Sequence, residues 1–198
     1  MRILVVGATG TIGRAVVAAL SADHEIVAVS RRSTPLTVDL AVPASISDMY
    51  RAAGKVNAVV CAAGEARFAP LAQLSDEDFQ FCLNNKLMGQ VNLVRIGFDH
   101  VADGASFTVT SGILARSPMT GSAAISLVNA GLEGFVRAAA LEAPRGIRVN
   151  VVSPPWVTET LQALKMDPSH GLPAAVVARS YVRSVTGTET GSTIEPSA

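Results

Sequence analysis

Apolar residues along this chain fall into short unbroken runs, separated by stretches in which they recur every three to four positions. These are the signatures of strands buried on both faces and of amphipathic helices. The runs Ile3–Val6, Ile26–Val29, Leu36–Val38, Ala58–Cys61, Ser106–Thr110 and Arg148–Val152 predict strands, with a weaker one at Ser192–Ile194. Helical periodicity covers Thr11–Leu20, Pro43–Ala53, Ser75–Phe98 and Gly121–Glu142, with shorter pieces at Thr158–Lys165 and Leu172–Val182. Strands alternating with helices mean βαβ units, and hence a doubly wound α/β architecture around one mostly parallel seven-stranded sheet. No repeat or linker interrupts the pattern, so residues 1–198 read as a single domain; the tail after Gly187 is loop-like, with parts that can be ordered.

The first strand runs into Gly7-Ala8-Thr9-Gly10-Thr11-Ile12-Gly13 and then directly into a helix. Three glycines in that place suit a dinucleotide pyrophosphate. They give a tight turn, an approach unobstructed by Cβ, and a helix N-terminus whose free N–H groups face negative charge. A merely structural strand–helix turn is the competing reading.

Composition narrows the classes. Of 198 residues, 49% are hydrophobic and the formal net charge is zero. No basic run exceeds Arg31-Arg32, so neither nucleic acid nor an anionic membrane is an expected partner. Met1-Arg2 and the apolar residues after it are broken by Gly7 before they could form a signal segment, and no apolar run reaches membrane-spanning length. Cys61 and Cys82 lack paired spacing and read as buried thiols. The expectation is a cytoplasmic protein. His24, His100 and His170 are scattered, so no metal site is expected.

Four further segments resemble the short-chain dehydrogenase/reductase family over nearly the whole chain. They are Val60-Cys61-Ala62-Ala63-Gly64, the helix segment Leu132–Glu142, Gly146–Pro155 with its Ser153-Pro154-Pro155 end, and Val185-Thr186-Gly187. The resemblance implies a Rossmann fold, a nicotinamide dinucleotide, a small-molecule substrate, and a homodimer or homotetramer built on paired long helices. It also implies a short substrate lid around residues 158–180.

The family's catalytic set is not matched. Registering on Glu133-Gly134 puts Ile125 in the Tyr slot and Asn129 in the Lys slot, while Ser111 keeps a hydroxyl at the end of the fifth strand with Thr110 beside it. Registering on Gly89 puts Lys86 in the Asn slot; a shift of one residue would restore Asn85. Lys and Asn thus look exchanged between two helices that the family brings together beneath the nicotinamide ribose. On that reading Lys86 holds the ribose hydroxyls or serves as the acid, with Asn129 and Ser111 completing the site. The alternative makes Lys86 a solvated helix residue and Asn129 a polar filler.

The second strand ends Ser30-Arg31-Arg32, with no acid to accept a ribose 2′-hydroxyl and two guanidiniums suited to a 2′-phosphate, so NADP(H) is expected rather than NAD(H). By the resemblance Asp39-Leu40 meets the adenine edge, although Asp39 also reads as a cap for the turn before Pro43. Thr9, Thr11 and Ile12 would lie against the pyrophosphate, and Ala62, Ala63 and Gly64 beside the ribose. Pro154 and Val157 line the nicotinamide segment, where Trp156 either closes a substrate pocket or belongs to the core. Glu159 reads as a helix-start carboxylate or an acid–base group, Asp76-Glu77-Asp78 as first-turn acids behind a Ser75 cap, and Ala130/Gly134/Ala138 as a close-packing stripe. Two functions fit: an NADP(H)-dependent oxidoreductase acting on a carbonyl, imine or alcohol through a non-standard proton donor, or an NADP(H)-binding sensor or partner protein without turnover.

Overall fold

A computed structural model describes residues 1–197. Its single sheet has the order β3-β2-β1-β4-β5-β6-β7 and every pairing is parallel. The strands are β1 (Arg2–Val6), β2 (Glu25–Ser30), β3 (Leu36–Thr37), β4 (Val56–Cys61), β5 (Val101–Thr110), β6 (Arg148–Val152) and β7 (Thr193–Ile194).

Helices cover both faces, which is why the strands are continuous apolar runs rather than alternations. Alternate residues of β1 separate cleanly. Leu4 and Val6 pack with α2 (Pro43–Ala53), α4 (Gly89–Gly97) and α5 (Ala123–Glu142) through Ile46, Met49, Leu93, Val94 and Val136. Ile3 and Val5 pack with α1 (Thr11–Leu20) and α7 (Ala174–Thr186) through Val16, Leu20, Val177 and Tyr181. Burying one such aliphatic side chain contributes about 1.5–3 kcal/mol, so the double-sided core carries most of the stability.

Three expectations are corrected. The helix predicted over Ser75–Phe98 is interrupted: α3 (Asp76–Cys82) opens on a Ser75/Asp78 capping box, a π-helical segment Leu83–Met88 follows, and α4 continues from Gly89. A π segment is a local bulge within an otherwise continuous helical run, so the sequence reads through it as one helix. The lid is also smaller than expected. Trp156 O accepts from Leu172 N–H at 2.8 Å and Thr158 N–H donates to Leu172 O at 3.0 Å, so the chain returns by Leu172 and α7 belongs to the helical layer. Between them lie only α6 (Thr158–Ala163) and a short 3-10 turn, Pro168–His170. Finally, α5 is long and apolar enough by length and composition to cross a membrane, at 20 residues and mean hydropathy 1.3. Here it lies along the sheet with Val128, Leu132 and Val136 fully buried.

Candidate functional site

The strand order reverses between β1 and β4, where Val6 pairs with Cys61, and parallel sheets open a crevice at the C-terminal ends of such a pair. The glycine loop crosses that point. Gly7 has φ +84°, and a Cβ there would stand 2.7 Å from Ala62 O. A Cβ on Gly13 would stand 1.9 Å from Gly7 O, so only glycine lets α1 seat against the loop. Gly10 is the N-cap of α1 and carries no side-chain cap, and no acid occupies the first turn. The helix therefore presents uncompensated N–H groups and the positive end of its dipole to the crevice.

A cavity of about 240 Å³ fills this crevice, lined by Gly7, Thr9, Gly10, Ser30, Arg31, Leu40, Ala62, Ala63 and Gly64, all of them expected from the sequence. Val6, Val38, Glu65 and Asn85 line it as well. The others divide by cause. Thr11 and Ile12 belong to the first turn of α1, and Ile12 packs into the α1–α7 layer; Gly13 acts through its contact with Gly7. Arg32 is exposed and does not line the cavity. Asp39 does not line it either: Asp39 Oδ1 accepts from Ala41 N–H at 3.0 Å, so the carboxylate caps the turn before Pro43. Pro154 and Val157 sit on a separate cavity.

Glu65 is a residue that sequence reading missed. Its carboxylate meets Arg31 Nη1 at 3.3 Å, and its backbone N–H donates to Asn85 Oδ1 at 2.8 Å. The β2 end thus has an acid after all, supplied by the turn beyond β4.

The second cavity, about 200 Å³, lies beside the first and is lined by Lys86, Ser111, Gly112, Asn129, Pro154, Pro155, Trp156 and Val157. Ile125 and Thr160 contribute to its apolar wall. The structure therefore brings Lys86, Ser111 and Asn129 together, from the π segment, the end of β5 and α5. Trp156 is half-buried on the wall. Lys86 Nζ reaches toward Ser111 O at 3.5 Å, and burial lowers its ammonium pKa to about 8, partly offset by Cys61 and Cys82. Asn129 Nδ2 donates weakly to Gly112 O at 3.4 Å, and its Oδ1 is buried without a partner.

Ser111, expected to orient a substrate, lines this cavity and is also tied into the wall behind it. Its Oγ donates to Glu133 Oε1 at 2.7 Å and accepts from Gly112 N–H at 2.5 Å. Glu133 is 6% exposed and also pairs with Arg116 at 3.0 Å; Arg116 reaches on to Glu195 at 3.1 Å. The serine's one proton is spent inside this network. At the next residue a Cβ on Gly112 would lie 3.0 Å from Asn129 Nδ2, so glycine there leaves room for the amide. Thr110 is likewise occupied: its Oγ1 donates to Cys61 O at 2.5 Å and lies 2.6 Å from Tyr181 Oη, while Gln90 clamps both its backbone groups. Burial pushes the Tyr181 hydroxyl well above its ordinary pKa. Glu159 caps α7, accepting from Ala174 N–H at 2.9 Å.

A third cavity, about 370 Å³, lies at the opposite end of the strands among Tyr50, Lys55, His100 and Arg145. Its Arg145 is spent on Asp103 and the Phe98 carbonyl.

A family model described as Enoyl-(Acyl carrier protein) reductase matches residues 7–194. The chain belongs to the short-chain dehydrogenase/reductase family. A hydroxynaphthalene reductase of Aspergillus fumigatus is 29% identical over 137 residues, covering 67% of this chain and 50% of the relative. The 3-oxoacyl-[acyl-carrier-protein] reductase of Rattus norvegicus is 33% identical over 127 residues, covering 63% and 54%. The chain thus spans about half the length of these two reductases. A protein from Listeria innocua has a structure similar over 98% of both chains, with a TM-score of 0.95 and 40% identity. A small-chain dehydrogenase solved in complex with NADPH superposes with a TM-score of 0.87 over 98% of this chain and 95% of its own, at 22% identity. In this chain Ile125 and Gly112 stand on the wall of the second cavity, with Lys86, Ser111 and Asn129 among its polar groups.

Proposed function

We propose that this chain is an NADP(H)-dependent oxidoreductase that moves hydride to or from a small carbonyl, imine or alcohol, with Lys86 as its proton donor. The observation that carries the reading is the junction of two cavities across the π segment. Asn85 lines the glycine-loop cavity and its neighbour Lys86 lines the other. A bound nicotinamide dinucleotide would supply or take the hydride.

Gly7 and Gly13 let the loop close against Ala62 and α1 seat against the loop, which sets the uncapped end of α1, at Gly10, where a pyrophosphate would bind. Ala62, Ala63 and Gly64 leave room for a ribose. Arg31 is the group placed to meet a 2′-phosphate, which would displace Glu65 from it. In the second cavity Lys86, with its pKa near 8, is poised to donate to a substrate oxygen near neutral pH. Asn129 lines the same cavity, and Trp156, Ile125 and Pro155 select an apolar ligand. Ser111 acts as a positioning residue, holding Gly112 rather than the substrate.

The test is a titration of NADPH and NADH against Trp156 fluorescence, followed by NADPH consumption over a panel of ketones, imines and enones. Tighter NADPH binding with consumption of one class supports the reading; tighter NADH binding, or no binding, overturns it. The engagement of Ser111 by Glu133 favours a second reading, an NADP(H)-binding sensor or partner subunit without turnover, which binding without any consumption would select. Dimerisation through α5 is proposed on its outer face, where Leu127, Ala130 and Ala138 are exposed.

A further inference from the structure

Lys86 is set apart from the other two lysines of the chain, Lys55 and Lys165. Its methylenes run against Gly64, where an added Cβ would stand 3.0 Å from Lys86 Cγ, and its amine lines the apolar second cavity. Among the described residues no carboxylate lies within ion-pair distance of it, and its one hydrogen bond is a long 3.5 Å contact with Ser111 O. The partnerless Asn129 Oδ1 lies on a side chain lining the same cavity. An unpaired amine at the head of an apolar chamber is a nucleophile as well as an acid.

We propose that Lys86 captures α,β-unsaturated aldehydes or ketones entering the second cavity, condensing with them reversibly. The inference rests on the reading of this cavity as the substrate cavity. In the step, the neutral amine nitrogen forms a bond to the carbonyl carbon and gives up its two protons, the C–O bond breaks as the carbonyl oxygen leaves with two protons as water, and the resulting imine takes one proton from solvent to become an iminium. The conjugated class follows from electron balance. Two-electron reduction at the imine carbon, by the reduced dinucleotide proposed above, would leave Lys86 permanently alkylated. Reduction at the β-carbon of a conjugated iminium leaves an enamine instead, which takes up a proton at the α-carbon and is hydrolysed to the saturated carbonyl and free lysine.

Desolvation of Lys86 supports the step, since an amine with pKa about 8 is substantially neutral at pH 8. Cys61 and Cys82 are the titratable groups facing it; the Cys61 thiol is itself pushed up to about 12 by burial and stays protonated there.

The test uses the full chain without dinucleotide, incubated with cinnamaldehyde near pH 8, quenched with sodium borohydride and mapped by peptide mass spectrometry. Lys86 is expected to carry roughly tenfold or more adduct than Lys55 or Lys165, since it alone of the three lines the apolar cavity that holds the aldehyde. Ile125→Trp, which fills the cavity while keeping the amine, is expected to bring Lys86 down to the level of the other two. Equal labelling of the three lysines in the parent protein, or labelling of Lys86 unaffected by Ile125→Trp, overturns the proposal. NADPH binding, measured separately, keeps the two readings apart. Binding without capture removes this inference alone, whereas capture without binding removes the oxidoreductase reading and leaves the amine chemistry in place.

Discussion

Ser111 donates its hydroxyl proton to Glu133 at 2.7 Å, a contact that ties this cavity-lining serine to a buried carboxylate behind it. Glu133 is buried between Ser111 and Arg116, so each partner removed leaves a charge or an acceptor without its complement. Glu133→Ala is expected to lower stability by about 2–4 kcal/mol, moderated because Arg116 is partly exposed and keeps Glu195. Ser111→Ala is expected to cost about 1 kcal/mol and to leave NADPH affinity unchanged. Urea unfolding and fluorescence titration read the two effects. A Ser111→Ala protein of unchanged stability that loses turnover would restore the serine to the substrate.

Lys86 makes stability depend on pH with a definite sign. Burial lowers its folded-state pKa to about 8 from the ordinary 10.5 of a lysine. Above pH 8 the unfolded chain binds the proton more readily than the fold does, so stability rises with pH until both forms are neutral near pH 10.5. Below pH 8 both states hold the proton and the fold bears the full desolvation cost. Lys86→Met is therefore expected to raise Tm at pH 7 and to flatten the slope between pH 8 and 10.5. The comparison is between the two proteins at each pH, which cancels the other titrating groups. A parallel pair of Tm profiles would show that the Lys86 amine is solvated.

The parallel order of the sheet and its switch point were legible because strands buried on both faces leave uninterrupted apolar runs and the glycine loop must follow the first of them. The wall of the second cavity was legible only in part. Lys86 and Asn129 could be placed through the positions they occupy on two helices, but the aim of Lys86 depends on the π segment, which no apolar period reveals. Glu133 served as a register mark, and its burial beneath Ser111 depends on Arg116, a residue in a loop without local signal. Glu65 pairs with Arg31 across 34 positions of sequence, a contact that only the fold creates. Asp39 shows the reverse case, since its turn-capping role was readable from Pro43 alone.

The Arg31–Glu65 pair is expected to set cofactor preference. Both side chains are largely exposed, so the pair itself contributes about 0–1 kcal/mol. Removing the acid frees the guanidinium for a 2′-phosphate. Glu65→Gln is accordingly expected to tighten NADPH by up to about fivefold, with little change for NADH. Arg31→Ala is expected to weaken NADPH by about tenfold and to spare NADH, the loss of a charge-assisted hydrogen bond. Titration of both variants with both dinucleotides checks the assignment; equal changes for NADH and NADPH would remove Arg31 from the phosphate.

The outer face of α5 gives the last prediction. Leu127 and Leu141 are 49% and 89% exposed, with Ala130 and Ala138 between them, so the stripe of small residues faces away from the chain's own sheet. A Cβ on Gly134 would meet nothing closer than Arg137 Nη2 at 3.9 Å, which means the glycine is not required within one chain. A long charged side chain there would hold a partner helix off while replacing a poor helix former with a good one, a gain of roughly 0.5–1 kcal/mol in the isolated subunit. If α5 pairs subunits as proposed, the parent protein is expected to sediment as a dimer or tetramer, and Gly134→Arg as a monomer that retains its circular dichroism. Stability extrapolated to the monomer would be equal or higher. A parent protein that is already monomeric, or a variant that assembles unchanged, would show that α5 faces solvent in the working molecule.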